Sequence, residues 1–112
     1  MPAEVILVLT QVPNRGCAEA IASALIEARL AACVSIGSPV DSLYHWRGKI
    51  ETANEIPLAL KTSVERYPEV EAAIRARHPY ELPEILAVPV CCGLAPYLRW
   101  VVDETGAPSP AS

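Results

Sequence analysis

Phenylalanine is absent from the sequence, so any core must be built from valine, leucine, isoleucine and alanine. These are plentiful. Apolar residues make up 52% of the 112 positions, a little above the usual range of about 45 to 50%, and a chain of this length fits one aliphatic domain at a size where partners often add buried surface. Basic charge is also scarce: the net charge is −4 and the pI about 5.1. A general grip on nucleic acid or an anionic membrane needs clustered Lys and Arg, so neither is expected as a partner. Long apolar runs are missing, since Val5 to Leu9 is too short to cross a bilayer, and Met1-Pro2-Ala3-Glu4 has no positive signal-peptide region. Cys17, Cys33, Cys91 and Cys92 follow neither a secreted disulfide framework nor a paired C-x-x-C zinc pattern. Adjacent Cα atoms lie about 3.8 Å apart, below the usual disulfide range, which makes a Cys91–Cys92 bridge strained. Reduced thiols and a soluble cytoplasmic protein are the expectation. No phosphate-cradling glycine loop, zinc-protease motif or nucleophile elbow occurs, so no catalytic residue is assigned and the chain is read as a non-enzyme.

What is present is strong periodic patterning. Val5-Ile6-Leu7-Val8-Leu9 reads as a strand buried on both faces. Asn14 can cap a helix over about Arg15 to Leu30, with Ala18, Ile21, Leu25 and Ala28 at helical spacing. Extended character returns over residues 32–36 and 42–46, broken by Gly37, Ser38 and Pro39, as one bent strand or two short pieces. Arg47-Gly48 marks a hairpin turn. Beyond it Ile50, Ile56, Leu58 and Leu60 alternate with Glu51, Glu55 and Lys61, which predicts a long strand with one core face, and Pro57 predicts a bulge or a break in pairing. Ser63 can start a second helix whose regular part begins near Tyr67 because of Pro68, with Val70, Ala73 and Ile74 buried. Ile85 to Val90 is a strand placed at an edge by Pro89, and Tyr97 to Val101 suits a short terminal helix. Residues 1–105 form one domain, and the proline-containing segment 106–112 is expected to be disordered.

This order predicts an α+β fold, a ferredoxin-like βαββαβ antiparallel sheet with two main helices and a short C-terminal helix. Two helices cover only one face of that sheet, yet the first strand is apolar on both. Another copy of the same sheet is the simplest cover, so the patterning predicts an oligomer, with the Arg47-Gly48 hairpin able to reach a neighbour.

Between the second helix and the last strand lies His78-Pro79-Tyr80-Glu81-Leu82-Pro83-Glu84. Its two prolines fix φ near −65° and push His78 and Leu82 towards extended geometry. The stretch therefore carries an imidazole, a phenol and carboxylates on a stiff connection, which makes it a candidate site.

Five segments taken together, Arg29-Leu30-Ala31-Ala32-Cys33-Val34, Ser42-Leu43-Tyr44-His45-Trp46-Arg47-Gly48-Lys49-Ile50-Glu51, Leu60-Lys61-Thr62, residues 78–84 and Tyr97-Leu98-Arg99-Trp100, closely resemble the CutA family of divalent-cation tolerance proteins. The likeness runs from about Val5 to Glu104. It implies a ferredoxin-like subunit in a compact homotrimer related in architecture to PII signalling proteins, with strands contributed across subunit boundaries. It also implies metal tolerance, copper included, and no organic cofactor.

His78 and Glu84 fall in the family motif and offer nitrogen and oxygen ligands suited to Cu²⁺ or another divalent ion. Two ligands bind weakly, and some relatives carry a cysteine at the end of the first strand where Thr10 stands here. The structural alternative is that His78 caps or terminates a helix while Glu84 pairs with a nearby base or faces solvent. Cys17 and Cys33 read first as small core residues, and Cys91-Cys92 as a possible soft thiolate pair for Cu(I). Tyr44 and Trp46, with Lys61 and Tyr80, are candidates for a small-molecule cleft between subunits, against the plainer reading of interface packing. His45 alternates away from Tyr44 and Trp46. The leading function is a cytoplasmic homotrimeric divalent-cation tolerance protein, the alternative a PII-like small-molecule-binding or signalling scaffold.

Overall fold

The computed structural model describes residues 4–106; the expected tail beyond Gly106 lies outside them. Strand β1 (Val5–Val12) is three residues longer than its apolar run suggests. Its even positions Ile6, Val8, Thr10 and Val12 are all buried. Helix α1 (Arg15–Glu27) begins where Asn14 Oδ1 accepts the Cys17 N–H at 2.9 Å, satisfying one of the amides that a helix start leaves unpaired. It ends before Leu30. The Leu30 N–H bonds Leu25 O and the Arg29 N–H bonds Ile26 O, while Arg29 takes φ 58°. That pattern is a Schellman motif, in which glycine is the usual left-handed residue.

Strands β2 (Cys33–Ile36) and β3 (Val40–Trp46) are two separate pieces. Arg47 and Gly48 both have positive φ, 50° and 80°, the signature of a two-residue type I′ turn, and they lead into β4 (Lys49–Ser63). Against expectation, Pro57 neither bulges nor breaks β4. Its register with β1 is continuous, with Gln11 opposite Pro57 and Thr10 opposite Leu58. A strand residue points its N and its carbonyl to the same side. The Pro57 carbonyl accepts from Gly37 on the β2 side at 2.9 Å, so its missing N–H also falls there, where the chain leaves the sheet after Ile36.

A 3-10 turn at Val64–Arg66 precedes α2 (Tyr67–Arg77), which carries a proline in its first turn, a tolerated place. Ser63 makes no side-chain cap; its hydroxyl pairs with Thr105 instead. Strand β5 (Ile85–Pro89) then pairs with β1 at the sheet edge, and α3 (Ala95–Glu104) follows.

The main sheet is antiparallel in the order β2-β4-β1-β5, with β3 paired to the leading half of β4. Val8, Val12, Leu58 and Leu60 of the sheet form one core with Ile21 and Leu25 of α1 and Val70 and Ile74 of α2. The opposite face carries Leu7, Leu9, Ala59 and Lys61, with Leu86 and Val88 from β5. Among the described residues only its end meets a helix, where Ser63 contacts Thr105 next to α3; beside it Arg29, just past α1, pairs with Glu104 at 2.6 Å. The β3–β4 arm runs beyond the main sheet, and the fold measures 51 × 28 × 23 Å. Leu43 and Ile50 on this arm are 71% and 70% exposed.

Candidate functional site

The 78–84 bridge is anchored by its histidine. Pro79 disfavours helical geometry at the residue before it, and His78 ends α2 with φ −82° and ψ 129°, its N–H still bonded to Ile74 O. The ring is buried. Nε2–H donates to Gln11 O at 2.7 Å, and Nδ1 accepts the Tyr80 N–H at 3.2 Å. These two bonds define one neutral tautomer and tie the bridge to the end of β1. They also decide how the family's implied metal fits. A cation at either ring nitrogen has to displace one of them, Glu84 stands exposed at the far end of the bridge, and among the described residues no three His, Cys, Asp or Glu side chains converge. The described side chains of one chain do not complete a metal cage. Thr10 and Glu84 both border a second pocket of about 260 Å³, and the buried Thr10 Oγ1 has no hydrogen-bond partner among the described residues.

Between the bridge and the arm lies a cleft of about 660 Å³. Tyr44, Trp46 and Tyr80 line it, as do Gln11, Ser42 and the carboxylates Glu55, Glu81 and Glu84. No Lys, Arg or His lines it. Lys61 belongs elsewhere: the register sets it opposite Leu7 and Cys33 on the open sheet face, with Nζ 4.0 Å from Cys33 Sγ. Sharing β4 with the arm does not bring it to the arm's cleft. His45 is not part of the lining, in keeping with its alternation.

Glu55 was not expected here, because its odd parity within β4 reads as solvent-facing. It is only 8% exposed. Hairpin arithmetic reveals its position: a two-residue turn pairs Trp46 with Lys49, hence Tyr44 with Glu51, Ser42 with Ala53 and Val40 with Glu55. Directly opposed and alternate residues share a face, so Ser42, Tyr44, Trp46 and Glu55 line up on one side of the arm. The Tyr80 phenol is pushed up to about 12, first by burial and then by the neighbouring Glu55 through hydrogen bonding and charge. Tyr80 is therefore a neutral donor at any physiological pH.

Over the mouth, Arg47 Nη2 donates to Glu81 Oε2 at 3.0 Å, and its guanidinium stands 5.3 Å from the Trp46 ring centroid. Both partners of the ion pair are 72% exposed. Of the thiols, Cys17 packs at the core and Cys33 is half-buried on the open face, while Cys91 and Cys92 are free and exposed after β5.

Residues 6–104 match the family of the CutA1 divalent ion tolerance protein. The chain belongs to this family. The Divalent-cation tolerance protein CutA of Thermus thermophilus is 41% identical over 100 residues, covering 89% of this chain and 97% of that protein. Mouse Protein CutA is 40% identical over 105 residues, and the match spans 94% of this chain but 59% of the mouse protein. The crystal structure of CutA1 from the psychrotrophic bacterium Shewanella sp. SIB1 superposes with a TM-score of 0.92 at 40% identity, over 96% of this chain and 100% of that one. The CutA1 fold is thus shared in its mixed α+β architecture, antiparallel sheet and three helices.

Proposed function

We propose that this chain acts as a homotrimeric divalent-cation tolerance protein of the cytoplasm, a binding protein without a catalytic step, whose ions associate with the carboxylates at the mouth of the arm cleft. The observation that carries the reading is the acidic lining, Glu55, Glu81 and Glu84, of which only Glu81 has a basic partner among the described residues, the exposed Arg47, since carboxylate oxygens suit divalent ions. Ferredoxin-like topology is supported by the strand order β2-β4-β1-β5. Trimer formation is supported by the apolar open face and the exposed arm, which give neighbouring copies a reason to cover them and to complete a coordination shell that one chain lacks. The exposed thiols Cys91 and Cys92 offer soft ligands should copper be the ion.

In this reading Glu84 contributes directly, whereas His78 contributes only by giving up a bond to Gln11 or Tyr80. Calorimetric titration of tag-free protein with Cu²⁺, Zn²⁺ and Mg²⁺ tests it. Glu84→Gln is expected to weaken binding severalfold, while His78→Ala is expected to act mainly on stability. Unaltered affinity and stoichiometry in Glu84→Gln would remove the proposed mouth. A monomer in light scattering would overturn the trimer. The small-molecule reading has its own observation, the aromatic walls of the same cleft.

A further inference from the structure

Glu55 is a carboxylate nine-tenths buried, it borders the 660 Å³ cleft, and among the described residues no basic side chain pairs with it. Burying an ionised carboxylate is costly unless something answers its charge. Tyr80 borders the same cleft and offers a hydroxyl, a group that can bond a carboxylate but cannot neutralise its charge. The walls of the cleft are Tyr44, Trp46 and Tyr80, flat π-surfaces whose faces attract cations. At the entrance the protein already seats such a group: Arg47 lies over Trp46 and pairs with Glu81. That pair is exposed and therefore weak, so a ligand can displace it.

We infer that the cleft is a binding site for a small guanidinium-bearing cation, stacked on Trp46 and neutralised by Glu55, with Arg47 as its internal surrogate at the mouth. A guanidinium fits better than a simple amine because it is planar, stacks on aromatic rings and donates two parallel hydrogen bonds to a carboxylate. A divalent ion uses the oxygens but gains little from the aromatic walls. The inference concerns the same cleft and the same Glu55 as the metal reading, but it rests on the aromatic walls, which that reading does not use.

Agmatine is the probe, titrated calorimetrically into the assembled protein in EDTA, with putrescine and 1,4-butanediol as comparisons. Saturable binding of agmatine is expected, weaker binding of putrescine, and none of the diol. Glu55→Gln should weaken agmatine about tenfold or more through loss of a charged hydrogen bond, and Trp46→Leu should weaken it severalfold. Arg47→Ala should bind at least as tightly as the parent, because a competing guanidinium has been removed. If Glu55→Gln fails to fold by circular dichroism, Trp46→Leu and Arg47→Ala decide the matter. Absence of saturable agmatine binding, equal affinity for putrescine, undiminished binding by a folded Glu55→Gln or Trp46→Leu, or a large loss in Arg47→Ala would each overturn the inference. Because EDTA removes metal from these titrations, a negative result leaves the divalent-cation proposal intact.

Discussion

The two faces of the central sheet draw on similar residues and meet different surroundings. On one, Val8, Val12 and Leu60 are wholly buried beneath α1 and α2. On the other, Leu7 and Leu9 are half-buried and Leu86 and Val88 are 54% and 44% exposed. The difference teaches that apolar character in a strand specifies the need for cover without naming what supplies it. Helices in the same chain satisfy the first face. The second is left to whatever associates with it.

Substitutions that strike one face at a time sharpen this contrast. Leu60→Ala, in the covered core, is expected to cost about 2 to 5 kcal/mol in chemical unfolding. Leu86→Asp on the other face should leave the subunit folded by circular dichroism and reduce the assembled mass in light scattering; an unchanged mass would mean that this face is not an interface.

His78→Ala tests how the cleft is fastened to the sheet. It leaves Gln11 O and the Tyr80 N–H without their partner and should cost about 1 to 3 kcal/mol, measured by the same unfolding titration. Tyr80 predicts a pH effect of definite sign. Its folded-state value, raised from 10.0 to about 12, means that the folded state holds the phenol proton more tightly than the unfolded state does. The resulting stabilisation is fully present below pH 10 and is lost as pH rises through about 12. Tyr80→Phe should therefore flatten the decline in melting temperature across that window. Smallest of all, Glu81→Gln should cost less than about 1 kcal/mol, because its pair with Arg47 is well exposed.

Most of the elements were legible because each rests on a short-range rule. Apolar periodicity marks β1, α1 and β4, Asn14 marks a helix start, and the Arg47-Gly48 turn marks the hairpin. The end of α1 was not legible, since Arg29 occupies a left-handed position that local chemistry would assign to glycine. Pro57 misled because a missing N–H matters only on the side where it points, and that side depends on where β2 leaves the sheet. In the candidate site, Tyr44, Trp46 and Tyr80, named from the hairpin and the bridge for a cleft between subunits, border a cleft within one chain. Lys61 was grouped with them for a cleft between subunits; within one chain it lies apart on the main sheet, because β4 serves both that sheet and the arm. Glu55 was recoverable from turn register but hidden by its charge, as acidic residues usually face water. The bonds of His78 to Gln11 and Tyr80 required three-dimensional proximity that spacing alone does not supply.

The placement of β1 at the centre of the sheet has a consequence in time. Its partners, the end of β4 and then β5, are separated from it by α1, β2 and β3, so during synthesis an apolar strand emerges well before either edge can be paired. Helix α1 can form locally in the interval, but the sheet cannot. Folding through such distant pairings is slow, and unpaired strand edges are prone to aggregate meanwhile. The segment most deeply embedded in the finished subunit is thus among those left unprotected longest while the chain is being made.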